Sequence, residues 1–200
     1  MNYLKFIMCA ISLVSVAGCD IFNTRNPEEP DTGRSSFQPP TQPSVVVSNL
    51  KNAIGEKNID NYLLCLSGST VDSTNVKFIF QPSVEGNTLF PGIFENWGID
   101  NEKKYFNSLK SKMPADVNPL IVLKNERFGV SQPDSVVVSY EYYIKINFID
   151  NSIGSEYSGT MQLTMIPQKN GLWSIYRWQD IKSQADTADS WSILKGNMIN

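Results

Sequence analysis

The sequence predicts an α+β domain in which N-terminal helices pack on a curved, mainly antiparallel sheet. Three observations carry that expectation. Apolar residues recur at helical spacing in three segments, Val46–Ile54, Ile59–Leu66 and Tyr105–Met113, four runs of β-branched and aromatic residues follow Pro119 with short turn signals between them, and the run from Ser135 to Ile149 alternates apolar and polar side chains. With 41% apolar and 18% charged residues, the 200-residue chain has the composition of one ordinary core, which excludes a disordered, collagenous or multi-span membrane protein.

The first residues predict an export signal. Lys5 stands near the amino terminus, Phe6 to Val16 form an apolar run, and the small residues Ala17 and Gly18 lead into Cys19. A transmembrane helix needs about 17–25 apolar residues, more than this run offers before Asp20. Val16-Ala17-Gly18-Cys19 resembles the lipobox of bacterial lipoproteins, with valine where leucine is most usual. The resemblance implies a signal peptide over 1–18, cleavage by signal peptidase II between Gly18 and Cys19, diacylglycerol on the Cys19 thiol and a fatty acyl chain such as palmitate on its amine. The mature chain would sit in the bacterial cell envelope, bound to the inner or outer membrane through the lipid, with its domain outside the cytoplasm. Asp20 resembles an inner-membrane retention signal of some bacteria, and which membrane is left open.

Cleavage would remove Lys5 and Cys9, lowering the net charge from −3 to −4. Cys19 becomes a thioether and Cys65 remains alone, so no intrachain disulfide is expected. The apolar neighbours of Cys65 predict a buried thiol. Residues 19–43, the lipidated cysteine and a stretch with five of the eleven prolines, read as a disordered tether. Fully extended it would span roughly 70 Å. Its Phe37-Gln38-Pro39-Pro40 segment reads as linker rather than as a proline-motif ligand. Residues 44–200 are then a single domain with a C-terminal tail.

Within the domain, Ser44 after Pro43 predicts an N-cap for a helix ending near Gly55, with Val46, Val47, Leu50, Ala53 and Ile54 on one face. Asn58 caps a second helix over Ile59–Leu66. Val76–Phe80 reads as a short strand stopped by Pro82, and Glu85–Gly98, rich in glycine and carrying Pro91, as a loop. Asp100 then caps a third helix that buries Tyr105, Phe106, Leu109 and Met113 and ends before Pro114. Leu120–Val130, Ser135–Ile149, Glu156–Ile166 and Leu172–Ile181 form an antiparallel meander, because their links are too short for crossovers. In the last strand Trp173 and Ile175 fall on one face and Tyr176 and Trp178 on the other, which predicts cover on both sides. The tail returns with Trp191, Ile193 and Leu194, and Trp191 is expected to dock on Tyr176 or Trp178 of the same domain.

This element order resembles the NTF2-like (SnoaL-like) superfamily over about residues 44–181. The echoes are Ala53-Ile54-Gly55-Glu56-Lys57-Asn58 at the helical junction, Tyr62 after it, Trp97 before the third helix and Gly171-Leu172-Trp173-Ser174-Ile175 opening the last strand. The stretch Arg25–Pro43 and the tail Ser190–Gly196 look like those of bacterial lipoproteins carrying such a domain. The resemblance implies a cone that encloses a pocket, a frame shared by isomerases, dehydratases, binding modules and adaptors, so the fold alone selects no function.

Zero histidines remove Ser-His-Asp and Cys-His nucleophile systems and every His-containing zinc site. With 17 basic and 20 acidic residues there is no basic stripe for nucleic acid. Ser48-Asn49-Leu50-Lys51 and Ser192-Ile193-Leu194-Lys195 match S-x-x-K, but no KTG or SDN follows. Asp150, Ser152, Gly154 and Glu156 alternate oxygen ligands as a calcium loop would, without the carboxylate run that such a loop needs, and read as a polar hairpin turn. No cofactor or metal is implied. The expected function is a non-catalytic binding or adaptor module, taking a protein partner or a small apolar ligand. Such a module would present an exposed apolar patch around Tyr176, Trp178 and Trp191 and fill its own pocket. The alternative is a pocket enzyme of isomerase or dehydratase type working through carboxylate and tyrosine groups, which needs no histidine. Tyr62, Trp97, Tyr105, Tyr142, Arg177 and Asp180 are the candidates to line the pocket.

Overall fold

A computed structural model describes residues 35–69, 76–129, 132, 134–182 and 187–200. The expected signal peptide and lipobox, Cys9, Cys19 and the expected tether up to Arg34 lie outside the described residues. Among those described, helices α1 (Pro43–Gly55) and α2 (Ile59–Leu64) lead to β1 (Ile79–Gln81), α3 (Val84–Leu89) and α4 (Ile99–Ser111). Four strands follow, β2 (Leu120–Phe128), β3 (Val136–Lys145), β4 (Glu156–Pro167) and β5 (Trp173–Ile181), and α5 (Trp191–Ile199) closes the chain. The strands form one sheet in the order β1-β5-β4-β3-β2, antiparallel throughout except for β1, which runs parallel to β5. The α+β architecture and the hairpin meander expected from the sequence are both present.

Several local devices differ from the expected ones. Pro43 takes the first helical position of α1, where its missing N–H costs nothing, so Ser44 lies inside the helix rather than capping it. The helix stops because Lys57 adopts a left-handed backbone, φ 52°, and Asn58 N–H reaches back to Ala53 O at 2.8 Å. The Lys57 ammonium then donates to Pro114 O, Ala115 O and Val117 O at 2.7–3.0 Å, tying this junction to the segment after α4. Asn58 does cap α2, accepting from Asn61 N–H at 3.1 Å, although the helix ends two residues earlier than expected, at Leu64.

The segment expected to be a loop begins with α3. Ser83 accepts from Gly86 N–H at 3.1 Å as its N-cap, and Gly86 has no Cβ to collide with Ser192 of α5, so the two helices touch through backbone and small side chains. Gly196 of α5 accommodates the Phe90 ring in the same way. Asp100 is not the cap of α4: Gly98 holds that position, its N–H bonded to Asn101 Oδ1 at 3.2 Å, and Asp100 sits in the first turn, where its charge favours the positive helix end.

The inward face of β3 is as expected, with Val138, Tyr142 and Ile144 buried; the strand ends at Lys145, short of the expected Ile149, and Ile146 and Phe148 are buried in the segment that follows it. The two-faced pattern of β5 is not. Thr164 pairs with Arg177 and Met165 with Ile175, so Tyr176 is an extra, bulged residue. The bulge restores Ile175 and Trp178 to one inward face opposite Met165 and Leu163, and both are fully buried. Period-two reading across the bulge had placed them apart.

The last residues assigned to the tether belong to the domain surface. Asn49 in α1 accepts from Gln38 N–H at 3.0 Å and donates to Gln38 O at 2.6 Å, and Trp173 N–H donates to Pro40 O at 2.7 Å. Phe37 packs on the core and Pro40 is buried. A buried carboxamide that needs both a donor and an acceptor finds them on this extended strip, so Phe37–Pro40 is held against its own chain.

Candidate functional site

Two carboxylates lie at the centre of the core, both nearly free of solvent contact: Glu102 is 0% exposed and Asp180 is 1% exposed. Glu102 lies on the inward stripe of α4 with Tyr105, Phe106 and Leu109. It accepts from Tyr62 Oη at 2.7 Å, from Trp97 Nε1 at 2.8 Å, and from the ammonium of Lys195, which reaches in from α5. Lys195 is itself 0% exposed. Its Nζ stands 3.9 Å from the Phe80 ring centroid, 4.5 Å from Trp178, 5.1 Å from Tyr105 and 5.5 Å from Trp97. The buried charge is therefore neutralised by one carboxylate and surrounded by negative ring faces.

Asp180, on β5, accepts from Tyr142 Oη at 2.7 Å on one oxygen and from Ser192 N–H at 2.7 Å and Ser192 Oγ at 2.5 Å on the other. Tyr142 Oη in turn accepts from Trp191 N–H at 2.7 Å. These bonds satisfy the first free N–H groups of α5, so a carboxylate and a phenol on the sheet do the work of an N-cap and complement the helix dipole. Trp191 stacks edge-on against Trp178, with centroids 4.5 Å apart, and against Tyr142 at 5.2 Å, while its Nε1 donates to Tyr105 Oη at 3.0 Å.

The electrostatics follow from burial. Asp180 is pushed above the ordinary carboxyl value by desolvation, against the pull of its donors Ser192 and Tyr142. Desolvation lowers Lys195, and Glu102 opposes that shift. The phenols of Tyr62 and Tyr105 are raised by burial and by the Glu102 charge, so both stay neutral, Tyr62 as a donor to Glu102 and Tyr105 as an acceptor from Trp191, and burial pushes the Cys65 thiol up to about 12, as suits inert filler.

Because Asp180 binds its proton more tightly in the folded chain than at its ordinary 3.8, its contribution to stability is fully present below that value and is lost as the pH rises through the folded value. Asp180→Asn, which cannot titrate, is the reference. Denaturation series from about pH 3 to about pH 7 are expected to show the stability advantage of the native chain over Asp180→Asn shrinking with rising pH in that window. A pH-independent difference would contradict the assignment.

Of the six residues chosen from the sequence, five gather here: Asp180 is one of the two carboxylates, Tyr142 bonds to it, Tyr62 and Trp97 bond to Glu102, and Tyr105 bonds to Trp191. Arg177 does not. It points away from Trp178 and Asp180, and its Nε and Nη2 donate to Gln81 Oε1 at 2.9 and 2.5 Å on the neighbouring strand. Glu102, Lys195, Ser192 and Phe80 were missed. Two of them had a signal: Glu102 precedes Tyr105 and Phe106 by three and four positions, and Lys195 follows Trp191 by four, so both fall on apolar stripes. Of the S-x-x-K pair in α5, Ser192 engages Asp180 and Lys195 engages Glu102, two separate carboxylates. The apolar patch expected around Tyr176, Trp178 and Trp191 is absent there, because Trp178 is 0% and Trp191 1% exposed.

The interior of the sheet is thus filled by α5. Two open grooves lie elsewhere. One, of about 660 Å³, runs between the Ser67–Gly68 turn, β1 and the start of α4, and the other, of about 570 Å³, lies on β2 to β4 beside Thr187 and Ala188; neither is lined by Glu102, Asp180 or Lys195. At the β3–β4 turn Asp150 Oδ1 accepts from Ser152 N–H at 2.8 Å, the bond of a polar turn, and among the described residues no group of three or more Cys, Asp or Glu side chains is placed to hold a metal ion.

No family model and no curated protein matches the chain. Solved structures do. A protein from Novosphingobium aromaticivorans named as a scytalone dehydratase superposes with a TM-score of 0.51 at 9% identity, over 74% of this chain and 89% of its own. A protein from Streptomyces avermitilis named as a dehydratase of the NTF2-like family gives 0.50 at 10%, over 71% and 94%. The beta subunit of benzoate 1,2-dioxygenase from Burkholderia mallei gives 0.51 at 13%, over 75% and 94%. At these identities what is shared is the fold, the NTF2-like cone.

Proposed function

We propose that this chain is a lipid-anchored protein of the bacterial cell envelope whose NTF2-like domain works as a non-catalytic binding or adaptor module. The observation that carries the second half is the occupation of the cone by its own helix: α5 inserts Trp191, Ser192 and Lys195 where an open cone would admit a ligand, with Ser192 donating to Asp180, Lys195 to Glu102, and Trp191 to Tyr142 and Tyr105. A partner would then be met on the outside of the domain. The test is a thermal-shift screen of the native protein against aromatic ketones, phenols and sterols. No saturable rise in Tm is expected. A hit that Asp180→Asn or Tyr142→Phe abolishes would overturn the reading.

Such a hit would favour the second reading, a pocket enzyme of isomerase or dehydratase type. Asp180, with its raised affinity for a proton and its bond to the Tyr142 phenol, is the carboxylate and tyrosine pair that such chemistry uses. Two of the similar structures carry dehydratase names. The enzyme reading requires α5 to leave, because the helix N-terminus occupies both groups.

The anchor rests on Val16-Ala17-Gly18-Cys19 after an apolar run. Two or more acyl chains suffice for stable membrane attachment. Intact-mass analysis of the mature protein is expected to begin at Cys19 and to carry diacylglycerol and an N-acyl chain, and Cys19→Ala should leave the membrane fraction. An unmodified Cys19, or a variant that still partitions with membranes, would refute it.

A further inference from the structure

The groups around the Lys195 ammonium share one property: none comes from α5. Phe80 is on β1, Trp97 precedes α4, Glu102 and Tyr105 are on α4, and Trp178 is on β5. Tyr62 and Trp97 each donate to Glu102 and hold its oxygens in place without any help from the lysine. The cone by itself therefore builds a walled slot with one carboxylate at its end and four ring faces along its sides, all within the range at which a cation gains from a ring. A slot made only to be filled by apolar packing would have neither the buried carboxylate nor its two fixed donors, since each is costly to bury without a partner.

We propose that the interior of the cone is a recognition site for a primary alkylammonium group, and that Lys195 is its resident ligand, delivered by the chain's own C-terminal helix. The ammonium supplies a charge-assisted bond to Glu102 and a cation for the four rings, and the methylene stem fills the approach. A neutral alcohol of the same length could donate a hydrogen bond to Glu102 but would bring no positive charge to the carboxylate or to the rings. The proposal does not depend on whether the domain is an adaptor or an enzyme, because it concerns the chemistry of the slot walls and not the fate of what binds there.

Lys195→Ala in the full chain removes a three-carbon stem and its ammonium, the outline of n-propylammonium. Adding n-propylammonium chloride to this variant is expected to raise Tm saturably, by roughly 5–10 °C at a hundredfold excess over its Kd. Equal concentrations of 1-propanol or sodium chloride should not do so. The native protein and Lys195→Met, whose slots are filled, should not respond to n-propylammonium, and Lys195→Ala/Glu102→Gln should respond far less. If Lys195→Ala does not fold alone, recovery of its near-ultraviolet circular dichroism on refolding in n-propylammonium, and not in 1-propanol, supports the site. An equal effect of 1-propanol, an equal response from Lys195→Met, or no response and no recovery overturns it. These outcomes are independent of the ketone, phenol and sterol screen above.

Discussion

Trp191→Ala is expected to cost about 3–5 kcal/mol, the range for truncating a fully buried indole when the cavity cannot close. Here the walls are rigid. Trp178 and Tyr142 hold the ring edge-on, and both are themselves buried in the sheet. The loss also leaves Tyr105 Oη without its Nε1 donor. For a domain of this size the expected fall in Tm is roughly 6–20 °C. Trp191→Phe keeps an aromatic edge and loses only the hydrogen bond and part of the area, so it should cost far less. Scanning calorimetry of the three proteins decides the matter. A Trp191→Ala chain that melts with the native one would mean that α5 is not part of the cooperative unit.

The second large effect lies in the Glu102–Lys195 pair. Removing one partner of a buried ion pair strands the other, at about 3–5 kcal/mol. Glu102→Leu should stand at the upper end, because it also orphans Tyr62 Oη and Trp97 Nε1. Lys195→Met leaves the carboxylate with those two donors and should cost less. Combining Lys195→Met with Glu102→Gln removes both charges while keeping an amide oxygen to accept from Trp97 and an amide N–H to donate to Tyr62 Oη, so the double variant is expected to be more stable than the sum of its singles, Lys195→Met and Glu102→Gln, by 2 kcal/mol or more, about the size of coupling found for contacting groups. Urea denaturation of the native chain, Lys195→Met, Glu102→Gln and the double variant closes the cycle, and additive losses would show that the pair is not coupled. The pH dependence gives an independent reading. Burial lowers Lys195 from 10.5, so between its folded value and 10.5 the unfolded chain holds this proton more than the folded one does, and the contribution of Lys195 to stability rises with pH, against the opposite slope of Cys65, Tyr62 and Tyr105. In Glu102→Gln the counter-charge is gone, and that rise should be steeper and begin at lower pH.

Much of the fold was legible because it rests on periodicity. Val46, Val47, Leu50 and Ala53 in α1 repeat at helical spacing, and Val138, Tyr142 and Ile144 in β3 at a period of two, and the burial of both sets follows directly. The tail was legible through composition alone: an indole on a polar chain end had to find cover, and Trp178 supplies it. The errors came where a neighbour distant in sequence overrides the local signal. Gly86 and Pro91 read as a loop until Ser192 packs against Gly86 and Ser83 caps α3 while bonding to α5. The extra residue Tyr176 turned one buried face into an apparent two-faced strand. Gln38 and Pro40 read as tether because their partners, Asn49 and the N–H of Trp173, lie far along the chain.

The site divides along the same line. Residue types put Tyr62, Trp97, Tyr105, Tyr142, Arg177 and Asp180 forward as candidates and left no histidine to take part, but they did not fix which face of the sheet the strand residues take: Tyr142 and Asp180 turn inward, whereas Arg177 bonds to Gln81. Glu102 and Lys195 stood on apolar stripes, but a charge on an apolar face is ordinarily a solvated edge, and nothing in the order of residues says otherwise. Only the tertiary structure decided that the two meet, across 93 positions of chain, inside a wall of four rings. The physical reason is that burying either charge is unfavourable alone and tolerable only as a pair. Pairing is a property of distance in space, which periodicity along the chain does not encode.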